Sequence, residues 1–218
     1  MTGYVQWLDL ACGALLVTAV VIVWRRRLDA IIRTFALQGI ALAAIAAILA
    51  VHAHDTRLGA VAAGAFTLRA IALPWLLGRA LAVSGSAERE TRPVVNVTAS
   101  LLSVAALTLI AYAVSRPLTA LDPSPAADAI PVGIAVMLAG FFVLVTGSRA
   151  VSQLAGFLLM DNGITATGFL TTARTGLLVE LGVSLDVLLA VVVLRVLASR
   201  MRDAFGDTDL DDLRELRD

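Results

Sequence analysis

Seven times along this chain an apolar run of about twenty residues is closed by a short polar break. A bilayer's hydrocarbon core takes about 20 apolar residues of α-helix to cross, and a backbone inside it must satisfy its own hydrogen bonds. The runs therefore read as spanning helices: Tyr4 to Trp24, Thr34 to His54, Leu58 to Leu81, Val94 to Val114, Pro131 to Ser148, Ala150 to Thr171 and Gly176 to Leu197. Between them stand WRRRLD, the HDTR turn, SGSAERETRP, SRPLTALDPSPAADAIP, the tight break at Arg149, and TTAR. The expected fold class is an all-α membrane protein with seven transmembrane helices. No charged leader or small-residue cleavage pattern precedes Tyr4, so the first run is expected to remain a span.

Composition supports this and excludes other classes. The chain is 59% hydrophobic and 16% charged, against about 45–50% and about 25% in soluble domains. A formal net charge of zero argues against nucleic acid as a partner. The single Cys12 can form no internal disulfide and reads as packing. Every basic residue is arginine, which leaves carboxylates as the titratable groups within the spans. With the amino terminus outside, thirteen arginines fall in cytoplasmic segments and three (Arg57, Arg116, Arg174) in outer ones, while Arg69 lies inside the third span. That bias predicts the amino end out and the carboxyl tail in.

The two ends of the chain share a plan. Helix one, an arginine-bearing turn, a helix with Gln38-Gly39-Ile40, a short outer turn and a helix ending in LLGRAL parallel helix five, Arg149, a helix with Asn162-Gly163-Ile164, a short outer turn and a helix ending in VLRVLA. Two parallel three-helix repeats joined by a linking helix are expected, since internal repeats are common in membrane transport proteins. The divisions are 1–93 for the first repeat, 94–130 for the linking helix and outer loop, 131–198 for the second repeat and 199–218 for a charged cytoplasmic tail.

Asp161, Glu180 and Asp186 stand inside the last two apolar runs. A carboxylate near the middle of a spanning helix costs roughly 2.5–3.5 kcal/mol on insertion, so it faces a partner, a wet cavity or an ion path. Asp161 and Asp186 each lie about ten residues from one outer turn, hence at the same depth, roughly 15 Å in. Glu180 is about 9 Å further out and on another face of its helix. The three are expected to form a series of proton-conducting groups, with Arg69, Asn162 and Thr165 tuning or hydrogen-bonding them. The alternative is that the acids only pair with Arg69 or hydroxyls and fix helix register. His52, His54 and Asp55 sit at the outer mouth of helix two, but residues two apart do not share a helical face, and no metal is expected there. No phosphate loop, nucleophile elbow or dinucleotide fingerprint occurs, so no catalytic residue is assigned.

GFLLMDNGI (Gly156 to Ile164) followed by LLVELGVSLDVLLAVVV (Leu177 to Val193) resembles hydrogenase-4 component E, a membrane subunit of group 4 membrane-bound hydrogenases and formate hydrogenlyase-type complexes. The last three helices also look like the small K subunit of respiratory complex I and the C subunit of multisubunit antiporters, and LDDLRELRD (Leu210 to Asp218) resembles the K subunit's ending. The resemblance implies K-subunit-like repeats and proton-moving carboxylates at Asp161 and Asp186. The first repeat, with Leu37, Gln38 and Ala70 near the corresponding positions, is expected to be scaffold. It further implies a subunit with no redox centre of its own in the plasma membrane of a bacterium or archaeon. Its partners would be antiporter-like membrane subunits and a hydrophilic oxidoreductase arm carrying iron–sulfur clusters and, in a hydrogenase, a nickel–iron site. The function so implied is proton translocation coupled to electron transfer in a complex I-like assembly. A purely structural membrane-arm subunit and a small independent ion transporter are the alternatives.

Overall fold

A computed structural model describes residues 2–25, 27–83, 95–147 and 150–171. The helix expected at 176–197, the tail 199–218 and most of the polar stretch after Val83 lie outside the described residues.

The chain is all-α. Helices α1 (Thr2–Trp24) and α2 (Leu28–Ala53) form a first hairpin, and α3 (Thr56–Ala65) continues through a π-helical segment (Phe66–Ala72) into α4 (Leu73–Val83). Then come α5 (Val97–Leu121), the single turn α6 (Pro125–Asp128), α7 (Ile130–Thr146) and α8 (Ala150–Thr171). Among the described residues, five helices are long and apolar enough to cross a membrane: Gly3–Trp24, Leu28–Ala53, Thr56–Arg79, Val97–Leu121 and Pro125–Thr146. α8 matches them in length, with 22 residues, but Ser152, Gln153, Asp161, Asn162 and three threonines dilute its apolar character.

The expected seven equivalent spans are thus corrected to five apolar spans and a sixth long helix with a polar middle. Run length alone had treated α8 as one more span. The last helix of the second expected repeat lies outside the described residues, and the two glycine motifs pack differently. Gly39 of QGI brings α2 against the π segment, where an added Cβ would stand 2.6 Å from the carbonyl carbon of Arg69. Gly163 of NGI faces the preceding helix, where a Cβ would run into the backbone of Met137. Glycines at corresponding places in the two motifs therefore hold different neighbours.

Small residues set the closest contacts, as they do where helices pack without a hydrophobic drive between them. α7 and α8 meet backbone to backbone, with Gly140 against Met160 and Gly156 against Leu144. α2 is the central helix, touching α1, the α3–α4 helix and α8, and 61% of its apolar window is buried. α5 lies at the edge against α7 and α1, with 17% of its window buried.

Helix limits follow local chemistry. α2 starts at Leu28, ahead of the expected Thr34, because a helix need not stop where the hydrocarbon does. α5 runs through Pro117 to Leu121, past the expected end at Val114. Just before that proline, Ser115 Oγ donates to the Ala111 carbonyl at 2.7 Å, while the carbonyl of Ala113 loses the N–H that residue 117 would otherwise offer. In the turn between α2 and α3, His54 adopts a left-handed conformation (φ 51°). Asp55 then caps α3, accepting from the backbone N–H groups of Arg57 at 2.8 Å and Leu58 at 3.3 Å. Asp55→Ala is expected to cost about 1 kcal/mol and Asp55→Ser much less. Unfolding midpoints in detergent check this, and equal losses for the two variants would show that the cap does not matter.

Candidate functional site

The third helix carries its one charged residue of the middle, Arg69, in the π-helical segment. Pro74 lies one turn on and offers no N–H to the carbonyl of Ala70. The turn ahead of it is wide, and the N–H of Leu73 reaches back five residues to the carbonyl of Leu68. Such π turns are rare and occur often at functional sites. Because residue 39 is glycine, α2 comes close enough for its neighbour Gln38 to reach the same interior.

Asp161, Asn162 and Thr165 face Arg69 from one turn of α8. The guanidinium Nη2 lies 2.6 Å from Asp161 Oδ2 and donates to Thr165 Oγ1 at 2.9 Å. Nη1 donates to Asn162 Oδ1. Asn162 Nδ2 in turn donates to Gln38 Oε1 at 2.8 Å. Arginine can only donate, so it fixes which end of the Asn162 amide it meets, and that choice fixes Gln38. Gln38 Nε2 finds no hydrogen-bond partner among the described residues.

All five side chains are buried, with Arg69 3% exposed, Asp161 2% and Gln38 0%. The pair is neutral as a unit, which is the condition for keeping two charges there, since each alone would be costly. Protonating Asp161 would remove the carboxylate that faces the charge of Arg69. The cluster joins α2, the π segment and α8 through one run of polar contacts.

The structure thus brings together Asp161, Arg69, Asn162 and Thr165, the described members of the set expected from sequence. Glu180 and Asp186 lie outside the described residues. Gln38, in the repeat expected to serve as scaffold, also belongs to the cluster. The signal was present in the sequence, as an amide within an apolar run beside a glycine. His52 stacks on Tyr4, with ring centroids 3.9 Å apart. Among the described residues no three His, Cys, Asp or Glu side chains are grouped to hold a metal.

Five apolar spans around an ion pair buried between α2, the π segment and α8 define a multi-pass α-helical membrane protein with a charged interior. Comparison places it more closely. The chain is 52% identical over 210 residues, 96% of each chain, to the uncharacterized protein Rv0085 of Mycobacterium tuberculosis (strain H37Rv), and it belongs to that protein's family. It is also 30% identical over 89 residues, 41% of each chain, to hydrogenase-4 component E of Escherichia coli K12 and, to the same extent, to that of Shigella flexneri. The likeness to component E is therefore partial rather than spread over the whole architecture. No protein-family model matches the chain, and no solved structure matches it.

Proposed function

We propose that this chain is a non-redox membrane subunit of a complex I-like membrane-bound oxidoreductase, of the group 4 hydrogenase or formate hydrogenlyase type, and that Asp161 takes part in coupled proton translocation. The observation that carries the reading is the buried Arg69–Asp161 pair. An acid buried within a bundle of spanning helices marks a functional site by default, and here its counter-ion sits on a π turn beside a proline. The partial likeness to component E supports the class of assembly. In it, antiporter-like subunits would lie beside this chain in the membrane, and a hydrophilic arm would hold the iron–sulfur clusters and, in a hydrogenase, the nickel–iron site. Glu180 and Asp186 are the other proposed carriers.

The membrane is the cell membrane of a bacterium or archaeon, with the amino terminus outside. Arginine placement supports that orientation. A Trp–Arg pair also lies at two of the helix ends assigned to that face, Arg25 over Trp24 at 5.4 Å and Arg79 over Trp75 at 5.6 Å. Aromatic and basic side chains of this kind favour the membrane interface.

A second reading, a scaffold whose acid is locked in its ion pair, is favoured by the number of partners that Arg69 has at once. Two experiments separate these. Gentle purification of the tagged chain from cells that express its native neighbours, with mass spectrometry of what accompanies it, is expected to recover antiporter-like subunits and an iron–sulfur oxidoreductase. The chain alone or as a homo-oligomer would instead indicate an independent transporter. Within an assembled complex, Asp161→Asn is expected to abolish coupled proton translocation while electron transfer continues. Translocation at the parental rate would leave only the scaffold.

A further inference from the structure

A second polar feature lies at the other end of the bundle, opposite the turn at His54 and Asp55. The end of α1, the start of α2, the start of α5, the end of α7 and the start of α8 converge there on a small recess. Arg25, Ile31, Ser100, Phe142, Thr146 and Ser152 are among its lining residues, and its accessible interior is about 50 Å³. That is the scale of one small polyatomic group or of one or two waters, at roughly 30 Å³ each.

Its electrostatics are one-sided. Three helices begin at the recess, each with the positive end of its dipole towards it; Asn96 caps α5, accepting from the Ala99 N–H, and Asp29 in the first turn of α2 is paired with Arg27. The N-cap residue of α2, Arg27, makes no side-chain capping bond. Arg25 adds a full positive charge, and among the described residues no Asp or Glu lines the recess. An independent observation points to a ligand. The hydroxyl of Ser152, 6% exposed, has no hydrogen-bond partner. The other two hydroxyls are engaged, Ser100 Oγ donating to the carbonyl of Asn96 at 2.9 Å and Thr146 Oγ1 to that of Phe142 at 2.7 Å. Burying a hydroxyl without a partner is costly, and among the described residues Ser152 has none, so it is placed for an acceptor bound in the recess.

We propose that this recess binds a phosphate group, with Ser152 Oγ donating to one oxygen, Arg25 neutralising the charge and the helix N-termini facing the rest. The phosphate comes either from the headgroup of an anionic phospholipid, whose chain would lie along the apolar wall at Ile22, Val23 and Val97, or from free phosphate.

The test uses the full chain purified in detergent and stripped of lipid, titrated separately with phosphatidylglycerol, phosphatidylcholine and inorganic phosphate. Retained adducts are read by native mass spectrometry and the unfolding temperature is followed in parallel. Phosphatidylglycerol retained well above phosphatidylcholine identifies the lipid source, and stabilisation by inorganic phosphate alone identifies the free ion. Either supports the site if Arg25→Gln weakens binding about tenfold and Ser152→Ala severalfold, as the loss of charge-assisted hydrogen bonds implies. Ser152→Ala changes no charge and little volume, so it keeps the test open if Arg25→Gln folds poorly. Equal retention of both lipids with no effect of phosphate, or unchanged binding in Ser152→Ala, overturns the proposal and leaves water in the recess.

Discussion

Arg69→Ala is expected to lower the stability of the folded chain by about 3–5 kcal/mol, because it leaves the carboxylate of Asp161 buried without its counter-ion. The loss exceeds that of an ordinary polar contact. Asn162 and Thr165 lose a donor in the same step, and the amide of Asn162 is then free to turn away from Gln38. Replacing both charges with apolar residues, Arg69→Met with Asp161→Leu, is expected to restore most of the loss, since a buried pair is worth little more than a well-packed apolar substitute. Denaturant midpoints in detergent for Arg69→Met, Asp161→Leu and the double variant close the cycle. A single-variant loss below about 1 kcal/mol, the scale of an exposed pair, would mean that water reaches the cluster, and the enclosed ion pair would have to be given up.

The second large effect comes from a methyl group. Gly39→Ala places a Cβ 2.6 Å from the carbonyl carbon of Arg69 and 2.7 Å from the nitrogen of Ala70, and both are backbone atoms of the neighbouring helix. Neither can swing aside. α2 and the π segment must separate, at a cost of about 1–3 kcal/mol, and Gln38 moves with α2 while Arg69 moves with the π segment. Gly64→Ala is the control, because nothing lies within 4 Å of its Cβ and alanine favours a helix. It is expected to be stabilising by about 0.5–1 kcal/mol. The two substitutions are chemically identical, so opposite signs in the same unfolding assay isolate the close approach at Gly39. Equal signs would contradict it.

What the sequence revealed and what it hid divide along physical lines. Apolar runs of about twenty residues disclose spanning helices because the bilayer demands both length and composition. They disclose helix ends poorly, because the boundary they mark is that of the hydrocarbon. α2 therefore begins at Leu28 among charged residues, and α5 passes Pro117. Asp161 and Arg69 were legible because a charge in an apolar run has few physical excuses, and their opposite signs suggested the pairing found. Gln38 was not, because an uncharged amide looked like the absence of a carboxylate, whereas its part is to accept from Asn162. The π segment left no periodic trace, and only Pro74 hinted at it. The likeness between QGI and NGI was real in letters, but which helix each glycine touches depends on side chains contributed from elsewhere in the bundle.

The distance along the chain between the partners of the buried cluster also has a consequence for biosynthesis. Arg69 and Asn162 are 93 residues apart. At a synthesis rate of about 5–20 residues per second, α8 follows the third helix by roughly 5–20 seconds. During that interval Arg69 has reached the membrane while Asp161 does not yet exist. The third helix must wait near the insertion machinery, or at the water boundary, until its counter-ion is made. Final seating of the first three helices is therefore a late event, controlled by the arrival of α8, and a chain cut short before Asp161 should be left with an arginine it cannot bury.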